Sequence, residues 1–260
     1  MRTITLQSTL LVVVLALCNF ASAKPVPQDN LKQDNINMSA MTAAELEKAG
    51  DVARSQKDYD LAIRYFQAGI RKDRKNAPLY NKLGLAELKT DNLSNARFNF
   101  EKAAKLNSKY AEAVNNIGAV EYMRKNYNGA AKYFKKAVAL AEGDAVYHVN
   151  LGAAWFSQKK MDRAIAEYTR AMELDPEVFR QEARTGIAAQ IASPEERAQY
   201  SYLLAKAYAK RGDVEGCLQC LRKAKEDGYR NLANAYKDED FSRMRDNPRF
   251  QEVVPPPVAK

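Results

Sequence analysis

The residues with the clearest potential for chemistry are two cysteines in a Cys-x-x-Cys motif, Cys217 and Cys220. The motif falls in the expected first turns of a helix, where the helix dipole would lower the pKa of a thiol. An exported protein could also form a disulfide between them, or with another molecule. A redox-active motif of this kind normally accompanies a βαβ pattern, however, and this sequence has no strand pattern. A thiol-active protein and a disulfide therefore remain alternatives to two buried thiols.

Other signs of catalysis are weak. His148 is the only histidine, and no Cys, Asp or Glu lies near it at the spacing of metal ligands. The sequence has no Gly-rich phosphate loop, nucleophile elbow or zinc-site spacing. We therefore expect a non-enzymatic protein without a metal or a cofactor, in which His148 lies in the core or at its rim.

The N-terminal segment, 1–23, has the order of a secretory signal peptide. Arg2 comes before an apolar run over 10–17, and small residues follow at 21–23. The run is too short to span a bilayer as a helix. Cleavage after Ala23 would leave an exported chain, periplasmic or secreted, that starts at Lys24. A lipid anchor at Cys18 is disfavoured, because the residue before a lipidated cysteine is normally small and here it is leucine.

The chain carries a formal net charge of +9. Its positive residues are scattered along the expected outer faces of helices, for example at Arg71, Lys72, Lys135 and Lys136. A scattered distribution favours solubility, or attraction to an acidic envelope surface or partner, over nucleic-acid binding.

Four columns of residues recur every 34 positions, in a chain whose composition of 46% hydrophobic residues with little Gly or Pro favours helices. The recurrence holds over four copies, which is the signature of a repeat architecture. The columns are Gly50, Gly84, Gly118 and Gly152; Ala62, Ala96, Ala130 and Ala164; Phe66, Phe100, Phe134 and Tyr168; and Gly69, Ala103, Ala137 and Ala171.

This pattern resembles the tetratricopeptide (TPR) repeat, a 34-residue unit of two antiparallel helices called A and B. The resemblance implies an all-α fold, a right-handed solenoid of helix pairs with a C-terminal cap. Helix A would carry the glycine column, which lets the neighbouring helix approach. Helix B would carry the aromatic column, which wedges between adjacent repeats. The turns between A and B are expected at 57–58, 91–92, 125–126 and 159–160.

The repeats and their flanks predict the organisation of the chain. Thr42 and Glu45 form a capping-box pattern, so we expect the first helix to begin at Ala43. A fifth copy has its turn at 212–213, and an interruption separates it from the fourth. We expect a signal peptide over 1–23, a flexible linker over 24–41, TPR repeats 1 to 4 over 42–178, an inserted helix or connector over 179–197, a TPR-like repeat 5 over 198–231, a C-terminal cap over 232–254 plugged by Phe241, Met244 and Phe250, and a disordered tail over 255–260.

The resemblance also implies a function, that of a scaffold binding a polypeptide segment in a concave groove. Helix A lines that groove through repeat positions 2, 5, 9, 12 and 13. Residues at position 12 would form an exposed apolar stripe across successive helices. Replacing Tyr122 and Phe156 by alanine should then abolish partner capture and leave the thermal unfolding midpoint nearly unchanged. The groove residues predicted in this way are Leu85, Leu88, Asn115, Tyr122, Met123, Val149 and Phe156.

Several alternatives stay open beside that interpretation. The chain's own inserted helix or linker could fill the groove, and homo-oligomers are compatible with the sequence. The Lys and Asn that clamp chaperone tails at positions 5 and 9 in some TPR domains are absent, since repeat 1 has Glu47 and Asp51 there. Glu87 and Glu121 occupy a normally apolar column, where they either face solvent at a helix end or are minor candidates for a site. The partner would be another protein or peptide, with no nucleic acid and no membrane span after signal cleavage.

Overall fold

The computed structural model describes residues 38–179 and 193–256. The predicted signal peptide, Cys18, most of the linker, most of the connector and the last four residues therefore lie outside the described residues. Within the two described ranges the regular structure is entirely helical, and every helix there is too short or too polar to cross a bilayer.

The helices follow the predicted alternation of A and B. Within the described residues, five A/B pairs run in chain order and a cap of short helices follows the last pair, so the predicted all-α TPR architecture is confirmed. The helices are α1 (Ala43–Ser55), α2 (Tyr59–Lys72), α3 (Ala77–Lys89), α4 (Leu93–Leu106), α5 (Ala111–Met123), α6 (Tyr127–Leu140), α7 (Ala145–Ser157), α8 (Met161–Leu174), α9 (Pro194–Arg211), α10 (Val214–Glu226) and α11 (Pro248–Val253), with 3-10 helices at Leu232–Tyr236 and Glu239–Met244.

The chain divides into two compact units, and the division falls inside α5. The first unit contains described residues 38–120, from α1 to most of α5. The second contains 121–179 and 193–256, from the end of α5 to the cap. Each unit has its own apolar core.

The helices begin where the sequence supplies capping side chains. Thr42 and Glu45 make the predicted capping box, in which the backbone N–H of Thr42 donates to Glu45 Oε2 at 2.8 Å. Each helix B except α8 starts after an Asp or Asn whose side chain accepts a backbone N–H. Lys160 precedes α8 and makes no side-chain cap.

The turn between helices A and B has one backbone conformation in all five repeats. Lys57, Asp91, Lys125 and Lys159 have φ between 59° and 63°, and Gly212 has φ 76° at the same repeat position. For a residue other than glycine this left-handed conformation costs about 1–2 kcal/mol. Packing of the helix pair therefore outweighs the local preference of four non-glycine residues.

The glycine column makes room for the aromatic column of the same repeat. A Cβ added at Gly50 would lie 2.4 Å from the ring of Phe66, and a Cβ at Gly84 would lie 2.6 Å from that of Phe100. A Cβ added at Gly152 would lie 2.4 Å from the ring of Tyr168. All three rings are fully buried. The role of the glycine is thus more specific than expected, because it admits the ring of its own helix B against helix A.

Repeat 5 solves the same packing problem with different residues. Ala205 stands in the glycine column and Leu221 in the aromatic column, and both are fully buried. Compared with the other repeats, repeat 5 therefore has an extra methyl group on helix A and a smaller side chain in place of the ring on helix B. Cores tolerate such exchanges when the total volume is kept.

The cap closes the second unit as predicted. Phe241 and Phe250 are fully buried and Met244 is 2% exposed. The ring of Phe241 lies 5.5 Å from that of Tyr202 on α9, measured between centroids. The rings of Tyr236 and Phe250 pack edge to face at 5.6 Å.

The ring-over-glycine packing predicts a coupled pair of substitutions. Gly84→Ala should lower the free energy of unfolding by about 1–3 kcal/mol, because its methyl group overlaps the Phe100 ring. Phe100→Leu should also destabilise, whereas the double variant copies repeat 5 and should recover part of the loss, with a coupling of roughly 0.5–3 kcal/mol. Urea unfolding of the four proteins measures the cycle. A Gly84→Ala variant stabilised by the helix propensity of alanine would contradict this packing.

Candidate functional site

The seven predicted groove residues separate into two groups in the structure. Leu85, Tyr122 and Met123 are half-buried, in keeping with a surface on helix A. The other four are buried, with exposures of 6%, 2%, 0% and 5% for Leu88, Asn115, Val149 and Phe156. The expected exposed apolar stripe is therefore wrong for Leu88 and Phe156.

Phe156 is buried because α9 covers it. Its ring packs edge to face against Tyr200 of α9, with 5.6 Å between the centroids. Tyr122 is also tied into the second unit, since its hydroxyl lies 2.9 Å from the hydroxyl of Ser157. The ring of Tyr122 packs against Tyr127 at 5.2 Å, and burial raises the pKa of Tyr122. Both aromatic residues hold helices together, so we now expect the unfolding midpoint to fall when they are replaced.

The two glutamates at repeat position 11 are buried as well, which rules out the alternative that they face solvent. Glu87 is 3% exposed and Glu121 is 4% exposed. Asn99 on α4 donates its side-chain amide to Glu87 Oε2 at 2.7 Å, and burial raises the pKa of Glu87. Asn126 donates similarly to Glu121. The glutamates thus join helix A to the start or body of helix B.

The helix A face of the first unit is polar and charged. Lys82 on α3 reaches back to two carboxylates of α1, with its Nζ 2.6 Å from Glu47 Oε1 and 2.6 Å from Asp51 Oδ2. The side-chain amide of Asn81 donates to Glu112 Oε1 at 3.0 Å, and that of Asn116 donates to Asn81 at 3.0 Å. These contacts join repeats 1 to 3 along their A helices.

Two cations at the C-terminal ends of α1 and α3 are poorly satisfied. Lys89 is half-buried and has no hydrogen-bond or ion-pair partner among the described residues. Burial lowers the pKa of Lys89, and the positive charge of Arg54 lowers it further. Arg54 reaches Asp51 at 3.4 Å, while its Nε is buried without a hydrogen-bond partner.

The helix A face of repeat 5 is occupied by the chain itself. Lys206 Nζ lies 2.9 Å from both Asp238 Oδ2 and Asp240 Oδ2. Lys210 Nζ lies 3.0 Å from Asp240 Oδ1, and Phe241 packs on Tyr202. Tyr202, Lys206 and Lys210 stand at repeat positions 5, 9 and 13, the positions expected to bind ligands. The occupant is the C-terminal segment, which the sequence interpretation placed only in the cap.

The cysteines do not have the expected character. Both are free thiols, Cys217 buried and Cys220 half-buried, on α10. Burial raises the pKa of each thiol to about 12, with nearby Asp213 adding to the effect. The predicted lowering of the thiol pKa is wrong, because burial withdraws the thiols from water and disfavours the charged thiolate. Since the thiolate is the reactive form, this site does not favour thiol chemistry.

His148 has partners that its sequence neighbourhood does not reveal. Its Nδ1 lies 2.7 Å from Glu167 Oε2 on α8, and its Nε2 lies 3.2 Å from the backbone carbonyl of Glu142. The ring is 7% exposed, so it joins α7 to α8 from inside. Across the described ranges, no group of three His, Cys, Asp or Glu side chains could hold a metal ion.

The burial of Phe156 gives a prediction for stability. Phe156→Ala should lower the free energy of unfolding by about 3–5 kcal/mol, because it empties a packed site against Tyr200. Tyr122→Phe should cost about 0.5–1.5 kcal/mol for the lost hydrogen bond. Leu106→Ala, at a side chain that is 42% exposed, serves as a control and should change stability by less than roughly 0.5 kcal/mol. An unchanged thermal midpoint for Phe156→Ala would contradict this packing and would support the exposed apolar stripe expected at repeat position 12.

Comparisons with known proteins agree with the fold. Models of the tetratricopeptide repeat match residues 47–99, 81–145 and 145–178. A crystal structure of MamA protein is 22% identical with a TM-score of 0.50, and the match covers 76% of this chain and 95% of that chain. MamA 41-end from Desulfovibrio magneticus RS-1 is 21% identical with a TM-score of 0.52, covering 71% of this chain and 93% of that chain. No curated protein sequence matches the chain.

At these identities the solved structures show the fold alone. The repeat models together span 47–178, half of the chain, and they include the whole fourth A/B pair, which ends at Leu174. The glycine and aromatic columns, the common turn conformation and the order of helix pairs agree with them. The chain therefore belongs to the tetratricopeptide repeat family.

Proposed function

We propose that this protein is a non-catalytic scaffold that binds a segment of another polypeptide on its helix A faces. One observation carries the proposal. In repeat 5 the helix A face holds a short chain segment, 238–241, through two lysines and an aromatic ring. These contacts support the proposal, because they show the kind of side chains through which a helix A face of this chain contacts a polypeptide segment.

The chemistry of that contact suits recognition of a peptide. Lys206 and Lys210 bind two carboxylates that are two positions apart, and Tyr202 receives the aromatic residue that follows them. Charged contacts fix the register of a segment, and buried aromatic residues are among those that carry most of the binding energy. Leu85 and Met123 offer half-buried apolar surface at repeat positions 9 and 13.

We further propose that the scaffold acts outside the cytoplasm, in the periplasm or as a secreted protein. The support is the order of charged, apolar and small residues over 1–23. The positive charge of the chain would favour an acidic envelope partner or surface.

Site-specific photo-crosslinking tests the scaffold role. A photoreactive residue at Leu85 should yield discrete adducts with another polypeptide in cells, because Leu85 lies on the proposed binding face. The matched control is Phe98 on helix B, whose side chain is 55% exposed. Adducts are resolved on gels and identified by mass spectrometry. Equal adducts at Leu85 and Phe98, or none at Leu85, would contradict binding on the helix A face.

Export gives a separate prediction. The mature protein purified from cells should begin at Lys24, since cleavage is expected after Ala23. Intact-mass measurement of the purified chain identifies its first residue, and Ala23→Arg should block the cleavage. A chain that retains residues 1–23 in the cell would contradict this export route.

A further inference from the structure

Arg54 and Lys89 are two cations of the helix A face whose hydrogen-bonding capacity is not met within the first unit. They occupy repeat positions 12 and 13 on the adjacent A helices α1 and α3. An ammonium group that is withdrawn from water without an acceptor is costly, and a second cation nearby increases that cost. Lys89 meets both conditions, since it is half-buried, unpaired among the described residues and repelled by Arg54.

The acidic residues nearby are already engaged. Asp51 Oδ2 lies 2.6 Å from Lys82 Nζ. Its other oxygen, Oδ1, lies 3.4 Å from the guanidinium group of Arg54. Glu47 lies 2.6 Å from the same lysine. Of the three cations Arg54, Lys82 and Lys89, only Lys89 has no ion-pair partner among the described residues.

Repeat 5 shows what the same repeat position binds elsewhere in this chain. Lys210 occupies position 13, as Lys89 does, and its Nζ lies 3.0 Å from Asp240. The difference between the two repeats is at position 9, where repeat 5 has Lys206 and repeat 2 has Leu85. In repeat 2, α3 thus offers one cationic contact, from Lys89, and one apolar contact, from Leu85.

We propose that Arg54 and Lys89 form a carboxylate-binding site for an Asp or Glu side chain of a partner polypeptide, with Leu85 contacting an apolar residue next to it. The inference rests on the proposed scaffold function and narrows the partner to a segment that is acidic and apolar, like the chain's own 238–241. It differs from a clamp built on positions 5 and 9, since those positions carry Glu47 and Asp51 in repeat 1.

A ligand contact at Lys89 can be separated from a structural one by stability. A lysine that stabilised the fold would lower the unfolding midpoint when it was removed. Lys89 instead carries a charge that the fold disfavours, so Lys89→Gln should leave the urea midpoint unchanged or raise it. Loss of binding together with a lowered midpoint would overturn the assignment of Lys89 as a ligand contact.

The binding test uses a labelled synthetic peptide with the sequence of residues 237–244, Lys-Asp-Glu-Asp-Phe-Ser-Arg-Met. Fluorescence anisotropy measures its binding to the full chain. We expect a version with Asn and Gln in place of the three acids to bind at least tenfold more weakly. Lys89→Gln should weaken binding of the acidic peptide at least fivefold, and Arg54→Gln should act in the same direction.

Lys105→Gln is the matched control, because it removes the same charge from an exposed site on α4 of the same unit. It should change the affinity by less than twofold. Equal effects of Lys89→Gln and Lys105→Gln would show only a general charge effect and would overturn the site. No binding of the acidic peptide would also overturn it.

Crosslinking at Leu85 distinguishes failure of this site from failure of the scaffold. If a polypeptide adduct forms at Leu85 and Lys89→Gln does not reduce it, the carboxylate site is wrong and the scaffold function stands. If Leu85 gives no adduct in any variant, the scaffold function itself is wrong. An adduct reduced by Lys89→Gln but not by Lys105→Gln supports both.

Discussion

The packing of an aromatic ring over a glycine, seen in the first, second and fourth helix pairs, is the contact on which the rest of the architecture depends. A side chain on Gly50, Gly84 or Gly152 would overlap the ring opposite it, so the two helices keep one separation and one register. That contact buries one side of helix A against its own helix B. The side of helix A turned away from helix B is thereby left for other contacts, and this is the surface on which charged and half-buried residues collect.

The turns follow from the same constraint. Lys, Asp and Gly all adopt the left-handed conformation at one repeat position, although only glycine adopts it without strain. Their shared geometry comes from the helices on either side, and not from the turn residue. The following Asp or Asn then caps helix B in four of the five repeats, while Lys160 does not. Local chemistry thus supports the turn but does not determine it.

The fold could be predicted from the sequence because its packing repeats, whereas much of the site depends on contacts that do not repeat. Phe156 is buried by Tyr200, which comes after the interruption in the repeat array and breaks the periodic rule. The partner of His148 is Glu167, which lies on another helix. The thiol of Cys217 lies in a core, where burial raises its pKa. The positions of helix A were predictable, but the exposure and pairing of their side chains were not.

The ring-over-glycine contact also bears on how the chain folds. Gly50 and Phe66, like the other pairs, lie on consecutive helices of one repeat, so forming the contact closes only a short loop. Proteins dominated by such local contacts have low contact order and fold fast, and repeat arrays can nucleate at any repeat. The contact between Tyr202 and Phe241 joins more distant parts of the sequence and encloses a complete helix B. Docking of the C-terminal segment therefore costs more loop-closure entropy than pairing of the two helices within a repeat. The helices of repeat 5 can consequently pair before this segment docks on them.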